Sequence, residues 1–288
     1  MYDRICSDLR SPDPLFVQLL DLCPDLEMFP PLGDLPYSRY LLVSKNQQSI
    51  DRAKQMGIGS ASPNPELKAD ILIKSSSDLR PHLSFINDPV EGCDLFIFDM
   101  GNVVVKNIHM LGKISRRLGL DREEFKADYH KYDFALMDGT LPIESYWEHV
   151  RTKFGVKVEG NPFAKDFSPR FNDEVVDLIK RLRSEGKRVV CGSNTFAPHW
   201  DILERMGALA LFDKAYASHE MGISKPSRQF FEHILSKENA EADRTYFVDD
   251  FEENIIQASQ LGLKCLLYSD GLRQSASEKL REAFEGPC

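Results

Sequence analysis

From residue 94 to the end, the chain alternates short apolar segments with longer amphipathic ones. The short segments predict strands at Arg188–Cys191, Lys214–Ala217, Thr245–Val248 and Lys264–Tyr268. The longer segments predict helices at His199–Arg205, Ser227–Leu235, Glu253–Leu261 and Leu272–Phe284. Strands that alternate with helices of this length favour a parallel sheet covered on both faces. We therefore expect an α/β fold built on a doubly wound parallel sheet.

A long helical section separates the first strand of this region from the others. The apolar run that begins at Asp94 is too short for a helix and ends at Asp99, so it predicts a buried strand. After it, apolar residues recur at helical spacing in four segments, His109–Leu118, Arg122–Tyr129, Ile143–Phe154 and Asp173–Ser184. We predict an α-helical cap at residues 107–185, inserted into a core formed by residues 93–106 and 186–288.

Residues 1–92 carry a weaker α/β pattern that resembles part of the core. A shift of 205 residues places residues 42–57 on residues 247–262, and both segments read as a strand, a loop and a helix that ends at glycine. We interpret this as a partial half-repeat, an N-terminal extension that is a degenerate copy of the C-terminal half of the core. Ser44 and Lys45 stand where the C-terminal segment has its two acidic residues, so we expect no metal site in residues 1–92. We expect these residues to have a packing role, either on the core or in a homo-oligomer.

Composition excludes several classes of function. The 288 residues carry a formal net charge of −9, which argues against a nucleic-acid partner, since phosphate backbones need clustered Lys and Arg. No run of about 18 apolar residues is present, so no membrane span is expected. The six cysteines are scattered and form no metal-type pairs. With no secretory signal pattern at the N-terminus, we expect a cytoplasmic protein with reduced thiols.

Four short polar segments lie after predicted strands or just before predicted helices. They are Asp99, Ser193-Asn194-Thr195, Lys225-Pro226 and Asp249-Asp250. Because the carboxyl ends of parallel strands meet at one edge of the sheet, where α/β proteins bind their ligands, these segments can converge. Each of them is a common pattern by itself, and only their order and placement make them informative together.

In that order, the four segments resemble the motifs of the haloacid dehalogenase (HAD) superfamily of hydrolases. The resemblance covers about residues 94–268 and is closest to bacterial sugar-1-phosphate phosphatases whose first motif reads Asp-x-Gly-Asn-Val, as Asp99–Val103 does here. It implies a doubly wound core with a helical cap, a Mg²⁺ cofactor and a covalent aspartyl-phosphate intermediate.

The chemistry of the residues agrees with the roles that the resemblance implies. Phosphoryl transfer depends mainly on positioning and charge neutralisation. An aspartate such as Asp99 is suited to form an acyl phosphate. The phosphate oxygens would be bound by three residues, Ser193, Asn194 and Lys225. The metal ligands would be the hard oxygen atoms of Asp99, Asp249 and Asp250, with the Gly101 carbonyl implied by the resemblance alone.

Gly101 is also where the sequence departs from the superfamily. Most of its phosphatases carry a second Asp there, which protonates the leaving oxygen, and general acid–base catalysis is worth about 10²–10⁴ in rate. A cap residue can replace it, with Asp128, His130 and Glu144 as candidates. Alternatively the leaving group is a good one, as an anomeric hydroxyl would be, or the enzyme is slow or inactive.

The sequence therefore predicts a Mg²⁺-dependent phosphatase acting on a small phosphorylated metabolite, with a sugar phosphate as the expected substrate. Two alternatives stay open. One is a weakly active or inactive HAD-like binding or assembly protein, which Gly101 and the eroded repeat favour. The other is a metal-independent 2-haloacid dehalogenase, which the Asp249-Asp250 pair makes less favourable because a carboxylate pair indicates a cation.

Overall fold

A computed structural model describes residue 2 and residues 4–10, 13–23, 26–31, 39–75, 78–79, 88–270 and 274–285. The chain divides into two compact units. One contains Met1–Asn87 and Asp270–Glu278, and the other contains Asp88–Ser269 and Lys279–Cys288. In the described part of the chain, no helix combines the length and the apolar character needed to cross a membrane.

The first unit contains a five-stranded parallel sheet. Its elements are β1 (Arg4–Ser7), α1 (Pro14–Leu22), β2 (Glu27–Met28), β3 (Tyr40–Val43), α2 (Gln47–Met56), β4 (Gly59–Ser62) and β5 (Ile71–Leu72). The strand order is β2-β1-β3-β4-β5, and every neighbouring pair is parallel. One buried face of the sheet includes Ile5, Leu41, Val43 and Ala61, and the other includes Cys6, Tyr40 and Leu42. The sequence also predicts a short helix at Asp78–Phe85, which falls mostly on residues outside the described ones.

The second unit is built on another five-stranded sheet. The strands of this unit are β6 (Leu95–Phe98), β7 (Val105–Lys106), β8 (Arg170–Phe171), β9 (Arg188–Ser193), β10 (Lys214–Ala217), β11 (Thr245–Asp249) and β12 (Lys264–Leu267). The main sheet has the order β10-β9-β6-β11-β12 and is parallel throughout, while β7 and β8 form a separate antiparallel pair. The chain thus runs to one side of β6 and then to the other, which confirms the predicted doubly wound α/β fold.

Helices flank this sheet and form the section between β7 and β8. They are α3 (Leu111–Leu118), α4 (Arg122–Tyr129), α5 (Asp133–Met137), α6 (Ile143–Phe154), α7 (Pro162–Asp166), α8 (Asp173–Ser184), α9 (Ala197–Arg205), α10 (Ser218–Met221), α11 (Arg228–Glu238), α12 (Glu252–Gln260) and α13 (Ala276–Glu285). The helices α3, α4, α6, α8, α9 and α12 keep their predicted bounds within about two residues at each end. The helix α6, for example, ends at Gly155, whose φ of 64° suits glycine at a helix C-terminus.

The helices α3–α7 share an apolar cluster of their own, rich in aromatic rings. Its buried members include Phe125, Tyr146, Trp147 and Phe163. The next helix, α8, instead packs against β9 of the main sheet. We therefore assign α8 to the core and place the end of the cap before β8, earlier than the boundary at residue 185 that the sequence analysis used.

The two sheets place β3 and β11 in similar surroundings. The strand β3 lies between β1 and β4, and β11 lies between β6 and β12, with parallel partners on both sides. These are the strands that the 205-residue shift superimposes. The common origin of the two segments stays a prediction. In the first unit, the replaced acidic positions make polar pairs: Ser44 Oγ donates to Asp8 at 2.8 Å and Lys45 Nζ to Asp13 at 2.7 Å.

Candidate active site

The carboxyl ends of β6 and β11 bring two aspartates together. Both strands lie inside the sheet, where all their backbone groups can be paired, and Asp99 N donates to Val248 O at 2.9 Å. Asp99 therefore follows β6 at the level at which Asp249 ends β11. The side chains of both residues are almost fully buried. The convergence predicted from their places after parallel strands is present.

Lys225 joins the two carboxylates. Its Nζ lies 2.6 Å from Asp99 Oδ1 and 2.6 Å from Asp249 Oδ2, and its side chain is only 1% exposed. The loop that carries Lys225 is fixed by Asn194, whose Nδ2 donates to Lys225 O and whose Oδ1 accepts from Lys225 N, both at 2.8 Å. Lys225 is therefore a buried charge held in one position by hydrogen bonds at both ends.

Two asparagines orient the remaining acidic groups. On α12, Asn254 donates its amide to both oxygen atoms of Asp249, at 2.9 and 3.0 Å. Across the sheet edge, Asn102 Nδ2 donates to Asp250 Oδ2 at 2.8 Å. Asn102 has a φ of 57°, a left-handed conformation that asparagine tolerates better than most residues. The sequence analysis gave neither asparagine a role, although Asn102 belongs to the first motif and Asn254 closely follows the last one.

Three carboxylates and one ammonium leave this buried region with an excess of negative charge. Burial raises the pKa of Asp99 to about 7, because the opposing effect of Lys225 is only partial and Asp249 and Asp250 add repulsion. Burial, together with the charge of Asp249, raises the pKa of Asp250 to about 6. Burial by itself lowers the pKa of Lys225, but the charges of Asp249 and Asp99 more than offset it, so this pKa is raised.

This donor set fits a divalent cation such as Mg²⁺. Mg²⁺ prefers oxygen ligands and usually keeps several waters beside one or two carboxylates. The excess negative charge is of the sign that such an ion would offset. The described residues contain no set of three or more His, Cys, Asp or Glu side chains arranged as a ready-made metal site. Lys225 Nζ donates to one oxygen each of Asp99 and Asp249.

Ser193 and Asn194 lie beside this acidic group, at the end of β9. Ser193 is 3% exposed, and both residues line a cavity of about 560 Å³ between the core and the cap. Their side chains differ in what they can offer. The Ser193 hydroxyl can donate to a phosphate oxygen, whereas the Asn194 amide is engaged by the backbone of Lys225. The predicted contact between the Asn194 side chain and phosphate would have to compete with these two hydrogen bonds.

At Gly101, the space that the side chain of the usual second aspartate would occupy is filled by Ile108, at the start of the cap. A Cβ at this glycine would lie 2.8 Å from Ile108 Cδ1 and 3.8 Å from Asp99 Oδ2. Gly101 and Ile108 both line the cavity, so this wall of the cavity lies next to Asp99. The sequence gave no signal for Ile108, because its position depends on how the chain enters the cap.

The three candidates for a replacement acid have different surroundings. Asp128 is buried and held by Lys153 at 2.6 Å and His149 at 2.9 Å. Glu144 lies in the first turn of α6 and is not among the residues that line the cavity. His130 does line it, and its Nδ1 lies 2.9 Å from Asp133 Oδ2. Of the three, only His130 is placed beside the space that a substrate would fill.

Comparison with known proteins identifies the family to which this chain belongs. The sequence profile of haloacid dehalogenase-like hydrolases matches residues 93–262, more than half of the chain. The chain belongs to the HAD-like hydrolase family. The matched range contains the four polar segments and the whole cap, so the resemblance seen in the motifs is confirmed.

Several relatives of this HAD-like chain are named phosphatases. The sesquiterpene phosphatase astK of Aspergillus oryzae is 35% identical over 99 residues, 34% of this chain and 50% of its own length. The glyceraldehyde 3-phosphate phosphatase of Methanocaldococcus jannaschii is 34% identical over 90 residues, 31% of this chain and 40% of its own length. This chain thus spans about half, or less, of the curated relatives that it matches.

Solved structures show the same fold. A wild-type HAD family enzyme of Bacteroides thetaiotaomicron, in complex with magnesium and inorganic phosphate, has a TM-score of 0.54 and 21% identity, and the match covers 62% of this chain and 96% of that one. A HAD-like hydrolase of Porphyromonas gingivalis has a TM-score of 0.53 and 22% identity, with 60% and 89% covered. The core and the cap of this chain therefore have the family's architecture.

Proposed function

We propose that this chain is a Mg²⁺-dependent phosphatase that hydrolyses a small phosphorylated metabolite through an aspartyl-phosphate intermediate. The observation that carries the proposal is the position of Lys225 Nζ, 2.6 Å from both Asp99 and Asp249, on a loop bound by Asn194, which lines the cavity. A fixed cation beside a carboxylate nucleophile is what transfer of an anionic phosphoryl group requires. The phosphatase names of the relatives support the same reaction class.

The proposed reaction has two steps at one phosphorus atom. First, Asp99 Oδ2 forms a bond to phosphorus while the bond from phosphorus to the ester oxygen breaks, and the alcohol leaves after taking a proton. Second, water attacks the phosphorus, and the acyl-phosphate bond breaks to return the Asp99 carboxylate and inorganic phosphate. Throughout, the Ser193 hydroxyl, the Asn194 backbone N–H and the Lys225 ammonium bind the phosphate oxygens.

The metal would be held by the oxygen atoms of Asp99, Asp249 and Asp250, with the Gly101 carbonyl as a further ligand. When bound, Mg²⁺ supplies positive charge that lets an anionic phosphate approach a carboxylate. Asn102 and Asn254 would keep the carboxylates in position, as hydrogen-bonded outer residues do around metal ligands.

Release of inorganic phosphate from a panel of esters, measured with Mg²⁺ and with EDTA, tests this proposal. We expect turnover of p-nitrophenyl phosphate, a general substrate, in Mg²⁺ and a loss of at least about 100-fold in EDTA. Chloride release from chloroacetate in EDTA would instead indicate the dehalogenase. No turnover of any ester, with the protein folded, would indicate the binding or assembly protein.

We assign the proton for the leaving oxygen to His130, and a change of leaving group tests that assignment. His130→Gln should lower turnover of butyl phosphate by about 100-fold, because an alkoxide leaves poorly without a proton donor. It should lower turnover of p-nitrophenyl phosphate by less than about fivefold, because nitrophenolate needs no proton to leave. His233→Gln, on α11 and away from the cavity, is the matched control and should change neither.

Equal losses on both esters would show that His130 supports the cap structure and carries no proton. Three other expectations belong to the same proposal and stay predictions from the sequence. They are a homo-oligomer formed through residues 1–92, a cytoplasmic location and the absence of a nucleic-acid partner.

A further inference from the structure

The cavity beside the acidic group has a polar end and an apolar body. Its polar end consists of Asn102 and Ser193–Thr195, which belong to the loops that follow β6 and β9. Ten of its twenty lining residues carry aliphatic, thioether or phenyl side chains. Those of the cap and its junctions include Ile108, Met110, Met137 and Phe167. The cavity therefore offers hydrogen bonds to the phosphate end of a ligand and mainly apolar contacts to the rest.

His199, one of the three histidines in the described lining of the cavity, does not add to the polarity of the apolar body. Burial lowers the pKa of His199 to about 3, so the ring is neutral, and its Nε2 lies 3.2 Å from Phe163 O. The ring stacks on Phe167 with 3.8 Å between centroids and contacts Phe196 at 4.2 Å. His199 thus adds an uncharged ring to the lining of the cavity, and its Nε2 is engaged by a backbone carbonyl.

This lining suits a sugar poorly. A sugar phosphate buries several hydroxyl groups, and each buried hydroxyl without a partner costs about 1–3 kcal/mol. Away from the phosphate end and the His199 ring, the described lining offers no carboxylate, and its polar side chains are Lys126, His109, Tyr129 and His130. The sugar-binding sites that discriminate hydroxyl groups depend on a denser set of donors and acceptors. The sugar phosphate expected from the sequence resemblance is therefore not what this cavity favours.

The size of the cavity favours a large leaving group. An apolar cavity of about 150 Å³ holds one benzene molecule. At about 560 Å³, this cavity accommodates an apolar group several times larger. Ile108 lies against Gly101, so the apolar surface of the cavity extends to the residue two positions after Asp99.

We propose that the substrates are phosphate monoesters of large apolar alcohols, with a hydrocarbon chain of roughly ten carbon atoms or more in place of a sugar. This inference rests on the proposed phosphatase function and defines the alcohol that the enzyme releases. The hydrocarbon packs between the cap and α9, and the phosphate lies against Ser193, Asn194 and Lys225.

A chain-length series in the wild-type protein tests the inference. We expect kcat/KM to rise about 100-fold from butyl to octyl phosphate, both below their aggregation concentrations, because each buried methylene adds a similar factor. Glucose 1-phosphate and ribose 5-phosphate should be no better than butyl phosphate. Equal values along the alkyl series, or a preference for the sugar phosphates, would overturn the inference while leaving the phosphatase proposal intact.

Two exposed phenylalanines supply a matched pair of variants. Phe251 is 60% exposed and lines the cavity, whereas Phe134 is 56% exposed and does not. Phe251→Ser should lower kcat/KM for octyl phosphate by about ten times more than it lowers kcat/KM for butyl phosphate. Phe134→Ser should change neither. Equal effects of the two variants would show that the alkyl chain does not enter this cavity.

Binding measured without turnover separates this inference from the proposed function. Calorimetric titration of the Asp99→Asn protein, which lacks the proposed nucleophile, with octyl phosphate and with glucose 1-phosphate, in Mg²⁺, should show tighter binding of octyl phosphate, weakened by adding Phe251→Ser. If the protein hydrolyses no ester but shows this pattern, the ligand class stands and the phosphatase proposal fails. If octyl phosphate binds no better than glucose 1-phosphate, the inference is overturned whatever the turnover.

Discussion

Asp99→Asn should abolish ester hydrolysis, with turnover of p-nitrophenyl phosphate falling by at least about 10⁴-fold. A neutral amide is too weak a nucleophile to attack phosphorus, and loss of a covalent nucleophile typically removes most of an enzyme's rate enhancement. Phosphate release in saturating Mg²⁺ measures the effect. A second readout is the transient phosphoprotein, which rapid acid quenching should trap in the wild type and not in the variant.

The same substitution should leave the protein folded. Asp99 is one of three carboxylates in a region with an excess of negative charge, and Lys225 keeps its hydrogen bond to Asp249 at 2.6 Å when Asp99 becomes neutral. We expect the free energy of unfolding in urea to change by no more than about 1 kcal/mol. Asp201→Asn, an identical chemical change at an exposed position of α9, should alter neither turnover nor stability. Residual turnover above about 1% of wild type would assign the nucleophile to another residue.

The helical and strand segments that the sequence predicts well are those in which local signals agree. The helices α4, α6 and α8 begin and end at the predicted residues, and β10 does the same. In the helices, apolar periodicity coincides with a cap or a turn residue, such as Asp121 before α4, whose side chain accepts from Glu124 N. Local sequence is sufficient there because the segment, its ends and its buried face are specified by the same few residues.

Elements without such signals were missed. The strand β4 reads Gly-Ser-Ala-Ser and contains no β-branched or aromatic residue, yet three of its four residues are buried. It is a strand because β3 and β5 pair with it on either side, which is a tertiary effect. The two-residue strands β7 and β8 and the five-residue helices α5 and α7 are shorter than any periodicity that a sequence can reveal.

The candidate site also contains residues that local sequence predicts and residues that it does not. Asp99, Ser193 and Asp249 were predictable because each is tied to the end of a parallel strand, and parallel strands place their ends along one edge. The wall of the cavity was not predictable, because Ile108, Met137 and Phe167 reach it only through the packing of the cap. The motifs therefore predict the reaction class, while the chemistry of the leaving group depends on contacts that no motif encodes.

Lys225→Met is expected to be the most destabilising single change in the site. Removing one partner of a buried ion pair typically costs about 3–5 kcal/mol, because the other charge is left buried without compensation. Here the ammonium is shared by Asp99 and Asp249, so we expect a loss of about 3 kcal/mol or more in urea unfolding. Turnover should fall by at least about 10²-fold, because one fixed charge that stabilises the transferring phosphoryl group is lost.

Lys279→Met is the matched control, since it changes another buried lysine to the same residue. Lys279 is 2% exposed and donates to Ser269 O at 2.9 Å. Its replacement removes a hydrogen bond to a backbone carbonyl, and we expect turnover to stay within about twofold of wild type. The stability loss should be smaller than that of Lys225→Met, because no carboxylate of the acidic group is left unpaired.

A double-mutant cycle separates the charge pair from the packing of the lysine stem. If repulsion among unpaired carboxylates causes the instability, Lys225→Met should cost at least about 1 kcal/mol less in an Asp249→Asn background than in the wild type. The reason is that the neutral amide in that background no longer carries the charge that Lys225 compensates, while the volume lost from the stem is the same in both backgrounds. An equal cost in both backgrounds would mean that the lysine acts as a buried hydrocarbon stem. The phosphatase proposal would then lose the fixed cation on which it depends.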